Sequence, residues 1–137
     1  MSAVDLAVAR LKTEEGFRSL PYSDETGHLS LGYGFSVGAG ISKYAASYLL
    51  SAQVTELSKT LAGYDWFSGL DEVRASVFID LAYNLGVSGL LHFPKTLTCA
   101  SEKDWKGTHD NLLDSKAAKQ DPKRYVALAQ VLLTGVA

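Results

Sequence analysis

The sequence has 137 residues, of which 47% are hydrophobic and 20% are charged, and its formal net charge is −2. This composition is typical of a globular protein that can bury a sizeable core, as one domain or as two small lobes that share a linker helix. The slightly negative charge argues against a general nucleic-acid binder, because such proteins normally carry a basic surplus.

The cysteine content and the N-terminus both bear on the compartment. Cys99 is the only cysteine, which excludes an internal disulfide and suits a reducing cytosol. The first residues lack a basic region followed by an apolar run, and no later segment reaches spanning length. We therefore expect no signal peptide, no membrane insertion and synthesis in the cytoplasm.

The N-terminal third predicts one helix followed by strands. Ser2 and Asp5 have the spacing of a capping box, and the helix should end near Gly16. Its inward stripe should comprise Val4, Ala7, Val8 and Leu11. Residues 20–35 alternate in polarity around the turn cluster SDETGH, which predicts a hairpin or a small antiparallel sheet.

The remainder of the chain reads as helical. Ser42 can cap a second helix that runs to about Leu61, with Ala45, Leu49, Ala52 and Leu61 facing inward. Asp71 caps a third helix that Gly86 ends, and its apolar face predicts the central helix, with Val77, Phe78, Leu81, Ala82 and Leu85. Further helices are expected around residues 89–91, 95–100, 104–113 and 122–133. The fold class is therefore α+β, with a small sheet-bearing front lobe and a larger helical lobe.

Residues 28–35, HLSLGYGF, alternate large apolar residues with small ones. In a strand, successive side chains point to opposite faces. One face would be apolar, whereas the other would be nearly bare, with Ser30, Gly32 and Gly34. A bare face allows a bulky polar polymer to approach the backbone.

Two carboxylic acids flank this segment. Glu15 falls in the last turn of the first helix, on the apolar stripe, where desolvation and the negative helix end should raise its pKa, as a general acid requires. Asp24 lies in the following turn, a common place for aspartate. A protonated acid, a carboxylate and the Ser30 hydroxyl would together suit the hydrolysis of a glycosidic bond.

The runs Glu15-Gly-Phe-Arg-Ser-Leu-Pro-Tyr-Ser-Asp24, Thr26-Gly27 and Ser30-Leu-Gly-Tyr-Gly34 resemble the T-even phage lysozyme family of endolysins. That family has a Glu-Gly pair, an Asp nine positions after the Glu, a Thr six further on, and then Gly-x-Gly. The resemblance continues through residues 82–86, 93–97, Trp105 and 114–124, and closes with Thr134-Gly135. It spans nearly the whole chain, apart from a shorter loop between Phe35 and Ile41.

The resemblance implies a single lysozyme-like domain over residues 1–137, with the sugar cleft between two lobes. The small β lobe would cover about 14–40, the linker helix about 42–62, and the helical lobe about 63–137 together with the N-terminal helix. The implied activity is inverting hydrolysis of the β-(1,4) bond between N-acetylmuramic acid and N-acetylglucosamine in peptidoglycan. It implies a monomer without metal or cofactor, which is either a lysis enzyme released to the cell wall through a holin-made hole or a virion-associated or effector lysozyme domain.

The family's site residues carry over by position. Glu15 is the implied proton donor, Asp24 stabilises positive charge or activates water, and Ser30 positions water. Arg124 matches the arginine that pairs with the catalytic glutamate. Sugar contacts fall on Ser36, Tyr83, Thr96 and Asn111, beside Gly32 and Gly34 of the bare strand.

Two departures leave alternatives open. Ser30 replaces the family threonine, which keeps the hydroxyl but loses the methyl group that restricts its rotamer, and Phe35 stands where the T-even enzyme has histidine. A lytic transglycosylase, which needs one catalytic glutamate, is one alternative. A non-catalytic peptidoglycan-binding module is the other.

Overall fold

A computed structural model describes all of residues 1–137, with eight helices and one three-stranded antiparallel sheet. This confirms the α+β class. The chain divides into two units, Met1–Ala46 and Ser47–Ala137. The division into a β lobe, a linker helix and a helical lobe of one lysozyme-like domain stays a prediction.

Helix α1 spans Ala3–Glu15 and begins at the predicted capping box. The Ser2 hydroxyl accepts from the Asp5 N–H, and the Asp5 carboxylate accepts from the Ser2 N–H at 2.9 Å. The predicted inward stripe is wrong, because no residue of α1 is buried and Val4 is 70% exposed. The side chains of α1 that meet the sheet of the same unit come from its last turns, so the stripe nearer the N-terminus is left uncovered.

The sheet follows α1 and has the order β1-β2-β3. Its strands are Arg18–Ser23, Leu29–Gly32 and Phe35–Ser36. The predicted single strand over residues 28–35 is therefore two strands joined by a turn at Tyr33 and Gly34. The turn is possible because Gly32 and Gly34 both adopt positive φ, at +66° and +75°.

Helix α2, Lys43–Leu61, crosses the boundary between the units along the chain. Leu61 is its one buried residue, whereas Leu49 and Ala52 are exposed, so the predicted inward face is wrong at those two positions. Leu61 joins the core and Leu57 packs against it. The buried part of α2 is therefore its C-terminal end.

The central helix of the second unit is α4, Glu72–Leu90, and it begins at the predicted Asp71 cap. Four of its five predicted apolar residues are buried and Leu85 is partly buried against the core. Gly86 interrupts the helical backbone with φ +74° and ψ 159°, which confirms it as the end of the first helical stretch. The last turn of α4 then continues to Leu90.

Five other helices complete the second unit. They are α3 (Asp65–Ser68), α5 (Pro94–Ser101), α6 (Trp105–Leu113), α7 (Lys116–Gln120) and α8 (Pro122–Thr134). The short helices α3 and α7 were not predicted. Leu97, Leu112, Ala129 and Leu132 add to the core around Phe78 and Leu81. No single helix combines the length and apolar composition that a bilayer crossing requires, although α4 and α5 would do so together as a pair bent by 114°.

Arg74 of α4 holds the end of α8. Its Nε donates to the Leu132 carbonyl at 2.7 Å, and its second terminal nitrogen donates to the Leu133 carbonyl at 3.2 Å. The guanidinium lies 4.1 Å from the centre of the Trp105 ring and pairs with Asp71 at 3.2 Å. The last carbonyls of a helix lack partners within the helix, so these bonds cap α8 and tie it to α4.

Replacing Arg74 with Met is expected to lower the free energy of unfolding by about 2–4 kcal/mol, because charge-assisted bonds and a ring contact are lost together. Urea denaturation followed by circular dichroism measures this loss. The control is Lys106→Met, which breaks a solvent-exposed ion pair with Asp110 at 2.9 Å and should change the stability little. Equal losses in the two variants would contradict the capping role.

Candidate active site

Glu15 is the last residue of α1, and the chain turns immediately after it. Gly16 takes φ +68° and its N–H donates to the Lys12 carbonyl at 3.1 Å, so the helix ends there and β1 begins two residues later. The Lys12 ammonium lies 5.7 Å from the centre of the Tyr33 ring, and the Phe17 ring lies 5.5 Å from it. These contacts hold the last turn of α1 against the turn between β2 and β3.

The Glu15 carboxylate lies directly over Gly34. A β-carbon at Gly34 would stand 2.6 Å from Glu15 Oε2, which is closer than real side-chain contacts allow. The absence of a side chain at Gly34 therefore makes room for the carboxylate. Glu15 itself is exposed, so the prediction that it lies on a buried helix face is wrong.

Asp24 forms the first residue of a tight turn that its own carboxylate closes. Asp24 Oδ1 accepts from the Thr26 N–H at 2.9 Å, from the Thr26 hydroxyl at 2.7 Å and from the His28 N–H at 2.9 Å. The Asp24 N–H in turn donates to the His28 carbonyl at 2.8 Å. One carboxylate oxygen is thus fully engaged, and Oδ2 is the oxygen left for other partners.

These bonds stabilise the ionised form of the Asp24 carboxyl. The Thr26 hydroxyl, followed by the His28 N–H, lowers the pKa of the Asp24 carboxyl below its usual range. Asp24 therefore stays ionised in all but strongly acidic solution. The stability that the turn gains from this charge is present above the unfolded pKa and is lost as the pH falls through the folded pKa.

Ser30 lies on the central strand, opposite Tyr22 on one side and Ser36 on the other. It is 7% exposed. The backbone bond between Asp24 and His28 continues the ladder of β1 and β2, and alternate residues of a strand share a face, so Asp24 and Ser30 project to the same side of the sheet.

The bare face of the sheet is partly covered. A β-carbon at Gly32 would stand 2.8 Å from the Phe35 ring, and Gly34 lies under Glu15. The Phe35 ring packs beside Gly32 and is 62% exposed, so this part of the predicted apolar face is open to solvent. The two glycines therefore first of all accommodate neighbouring side chains of this chain.

Arg124 and Tyr83 line one cavity of the second unit, of about 270 Å³. Arg124, near the start of α8, donates to Asp80 Oδ1 at 2.9 Å, and this hydrogen bond raises the pKa of its guanidinium. The Asn84 amide donates to the same Asp80 oxygen at 3.1 Å. Tyr83 is 47% exposed, so its ring is accessible in this cavity, beside the Asp80–Arg124 ion pair and the Asn84 amide.

Asn111 lines a second cavity of about 340 Å³ with Pro94, Lys95, Thr98 and Cys99. Its amide nitrogen donates to the Gly107 carbonyl at 2.8 Å, which leaves its oxygen as the group that can accept from a ligand. Burial, and then the charge of Asp104, raise the pKa of the Cys99 thiol. Thr96 lies on the same helix as Cys99 but is only 3% exposed, so its hydroxyl has little surface to present.

Three polar residues beside the predicted ones escaped sequence reasoning. Thr26 and His28 complete the Asp24 turn, and the spacing Asp-x-Thr-Gly-His was the available signal, because side chains of Asp close turns onto residues two and four further on. Asp80 pairs with Arg124. The available signal was the spacing of Asp80 and Tyr83, because residues three apart on a helix lie on the same face.

Glycoside hydrolases use a pair of Asp or Glu residues. Here one unit carries both the Glu15 carboxylate, over Gly34, and the Asp24 carboxylate, fixed in the following turn. The chain matches the family model for phage lysozyme over residues 12–129, a span that includes Glu15, Asp24, Ser30 and Arg124. It therefore belongs to the phage lysozyme family and is a peptidoglycan-degrading endolysin that acts on the cell wall after release. No curated protein gives a significant match.

Proposed function

We propose that this endolysin is a muramidase that hydrolyses the β-(1,4) bond between N-acetylmuramic acid and N-acetylglucosamine. The observation that carries the proposal is that the Glu15 carboxylate lies over Gly34, in the same unit as the Asp24 carboxylate. Glu15 donates a proton to the glycosidic oxygen as the bond breaks. Asp24, which stays ionised, stabilises the positive charge that develops on the sugar ring or helps to activate water.

Ser30 and Arg124 support this chemistry. The Ser30 hydroxyl shares a sheet face with Asp24, which suits the positioning of the attacking water. Arg124 is included by its resemblance to the family arginine alone, and its hydrogen bond to Asp80 raises the pKa of its guanidinium. Attack by a positioned water would invert the anomeric configuration, in keeping with the T-even family.

The resemblance assigns sugar contacts to positions in each unit, taken separately. In the first unit, these positions are the exposed Ser36 and the backbone at Gly32 and Gly34 of the sheet. In the second unit, the Tyr83 ring and the Asn111 oxygen are accessible to a sugar. Thr96 is included on the resemblance alone, because it is buried.

The same resemblance supports a route for the protein. We propose that it is a monomer made in the host cytoplasm and that a holin-made hole releases it to the wall. Host cells that express it without a holin should retain the protein and stay intact. Export of the isolated chain without a holin would contradict this route.

Product analysis tests the proposed reaction. Purified peptidoglycan is digested, and the products are examined by mass spectrometry and by an assay for new reducing ends. Hydrolysis gives reducing muramic acid ends that carry the elements of one water, whereas a transglycosylase gives anhydro-muramyl ends. Anhydro products would overturn the hydrolase proposal, and binding without any new ends would favour a non-catalytic module.

A further inference from the structure

His28 is placed so that it acts on Asp24 through Thr26. The His28 Nδ1 atom lies 2.5 Å from the Thr26 hydroxyl oxygen, and that hydroxyl lies 2.7 Å from Asp24 Oδ1. The three side chains thus form a continuous chain of hydrogen bonds within one turn. The resemblance that assigns roles to Glu15, Asp24 and Ser30 assigns none to His28.

The direction of each hydrogen bond in this chain follows from the donors available. An ionised carboxylate can only accept, so the single hydroxyl hydrogen of Thr26 points to Asp24 Oδ1. The contact between Thr26 and His28 must then use a hydrogen on His28 Nδ1. This hydrogen is present in the imidazolium and in the neutral Nδ1–H tautomer. In either form the ring prevents Thr26 from turning its hydroxyl hydrogen away from Asp24.

We propose that His28 is a positioning residue for the Asp24 carboxylate, because its Nδ1–H donates to Thr26 and thereby fixes the Thr26 hydroxyl as a donor to Asp24. This inference rests on the proposed role of Asp24. On protonation, the ring also places positive charge 3.8 Å from Asp24 Oδ2, the oxygen that the turn leaves open.

The surroundings of the Asp24 carboxyl contain few other charges that could produce the same effect. Besides Thr26 and the hydrogen-bonding backbone, His28 is the one group that acts on its pKa. Glu25 lies in the same turn, and Arg18 of β1 stacks on the Tyr22 ring at 4.2 Å. Ser30 and Ser36, on the paired strands, do not titrate in the relevant range.

The test compares His28→Phe with His28→Asn. Phenylalanine removes the donor, whereas the amide nitrogen of asparagine can take the place of Nδ1 and restore it. The backbone N–H of His28, which donates to Asp24 Oδ1, is kept in both variants. The matched control is His92→Phe, which removes another exposed ring, one whose Nδ1 contacts the Ser88 carbonyl at 2.7 Å.

The first readout is the pH profile of kcat for peptidoglycan hydrolysis. A carboxylate that must be ionised sets the acid limb, and we expect His28→Phe to move that limb upward by roughly half to one pH unit. His28→Asn and His92→Phe should keep the wild-type limb. A wild-type limb in His28→Phe, or the same shift in His28→Asn, would overturn the inference.

The second readout does not depend on activity. Titration of the Asp24 carboxyl carbon by NMR gives its pKa directly, and this pKa should rise in His28→Phe by the same amount. An unchanged Asp24 pKa would overturn the link through Thr26. Full activity of Asp24→Asn would instead contradict the proposed function, so the two failures are distinguishable.

Discussion

Replacing Glu15 with Gln is expected to lower the rate of peptidoglycan hydrolysis by about a hundred- to ten-thousand-fold. Glutamine has nearly the same size and can occupy the seat over Gly34, but its amide has no proton to donate to the leaving oxygen. Binding of the glycan should persist, because the shape of the site is retained. The measurement is the rate at which new reducing ends form from purified peptidoglycan.

The neighbouring residue provides the control for this variant. Glu14 is also an exposed glutamate in the last turn of α1, so Glu14→Gln removes the same charge one position earlier. It should keep near-normal turnover. Near-normal turnover in Glu15→Gln would overturn the assignment of the acid, and a comparable loss in both variants would point to a general effect of helix charge.

Replacing Gly34 with Ala is expected to lower the rate by about a hundred-fold, because a misplacement of about 1 Å at a catalytic group has an effect of this size. The new β-carbon would stand 2.6 Å from Glu15 Oε2 and 3.0 Å from its carboxyl carbon. The end of the Glu15 side chain is flexible, so it can move away at little cost in stability. The loss should therefore fall on kcat.

Gly40→Ala separates this effect from backbone strain. Gly40 has φ +74°, almost the same as +75° at Gly34, but no atom lies within 4 Å of its β-carbon position. Both substitutions should cost about 1–2 kcal/mol of stability, because a side chain is unfavourable in the left-handed region. Only Gly34→Ala should lose activity once the rates are corrected for the folded fraction. Equal losses of activity would show that strain, and not the seat of Glu15, is responsible.

The elements that sequence reasoning located depend on local signals. The caps at Ser2 and Asp71 lie within four residues of the groups they bond, so the spacing alone identifies them. The wide apolar face of α4 likewise predicts its burial, as Phe78 and Leu81 show. The short helices α3 and α7 were missed, because four or five residues carry too little periodicity to stand out.

The contacts that sequence reasoning missed join residues far apart in the chain. Arg74 meets Leu132 across 58 positions, and no local pattern links a helix-start arginine to the end of another helix. The apolar spacing in α1 placed Glu15 on a buried face, although periodicity identifies a face without specifying what covers it. The Glu15–Asp24 spacing predicts the candidate pair, whereas the reason for glycine at position 34 is a contact with Glu15 that only the fold reveals.

The capped end of α8 also sets the rule for building chimeric lysins from this chain. A wall-binding module fused after Ala137 would leave the carbonyls of Leu132 and Leu133 with their Arg74 partner, and Gly135, at φ +71°, would still end the helix. A junction placed before Leu132 would discard both acceptors. The Arg74 guanidinium would then lie in a largely enclosed position without these acceptors. The lysozyme part of such a fusion would therefore unfold at a lower temperature, whatever module is attached to it.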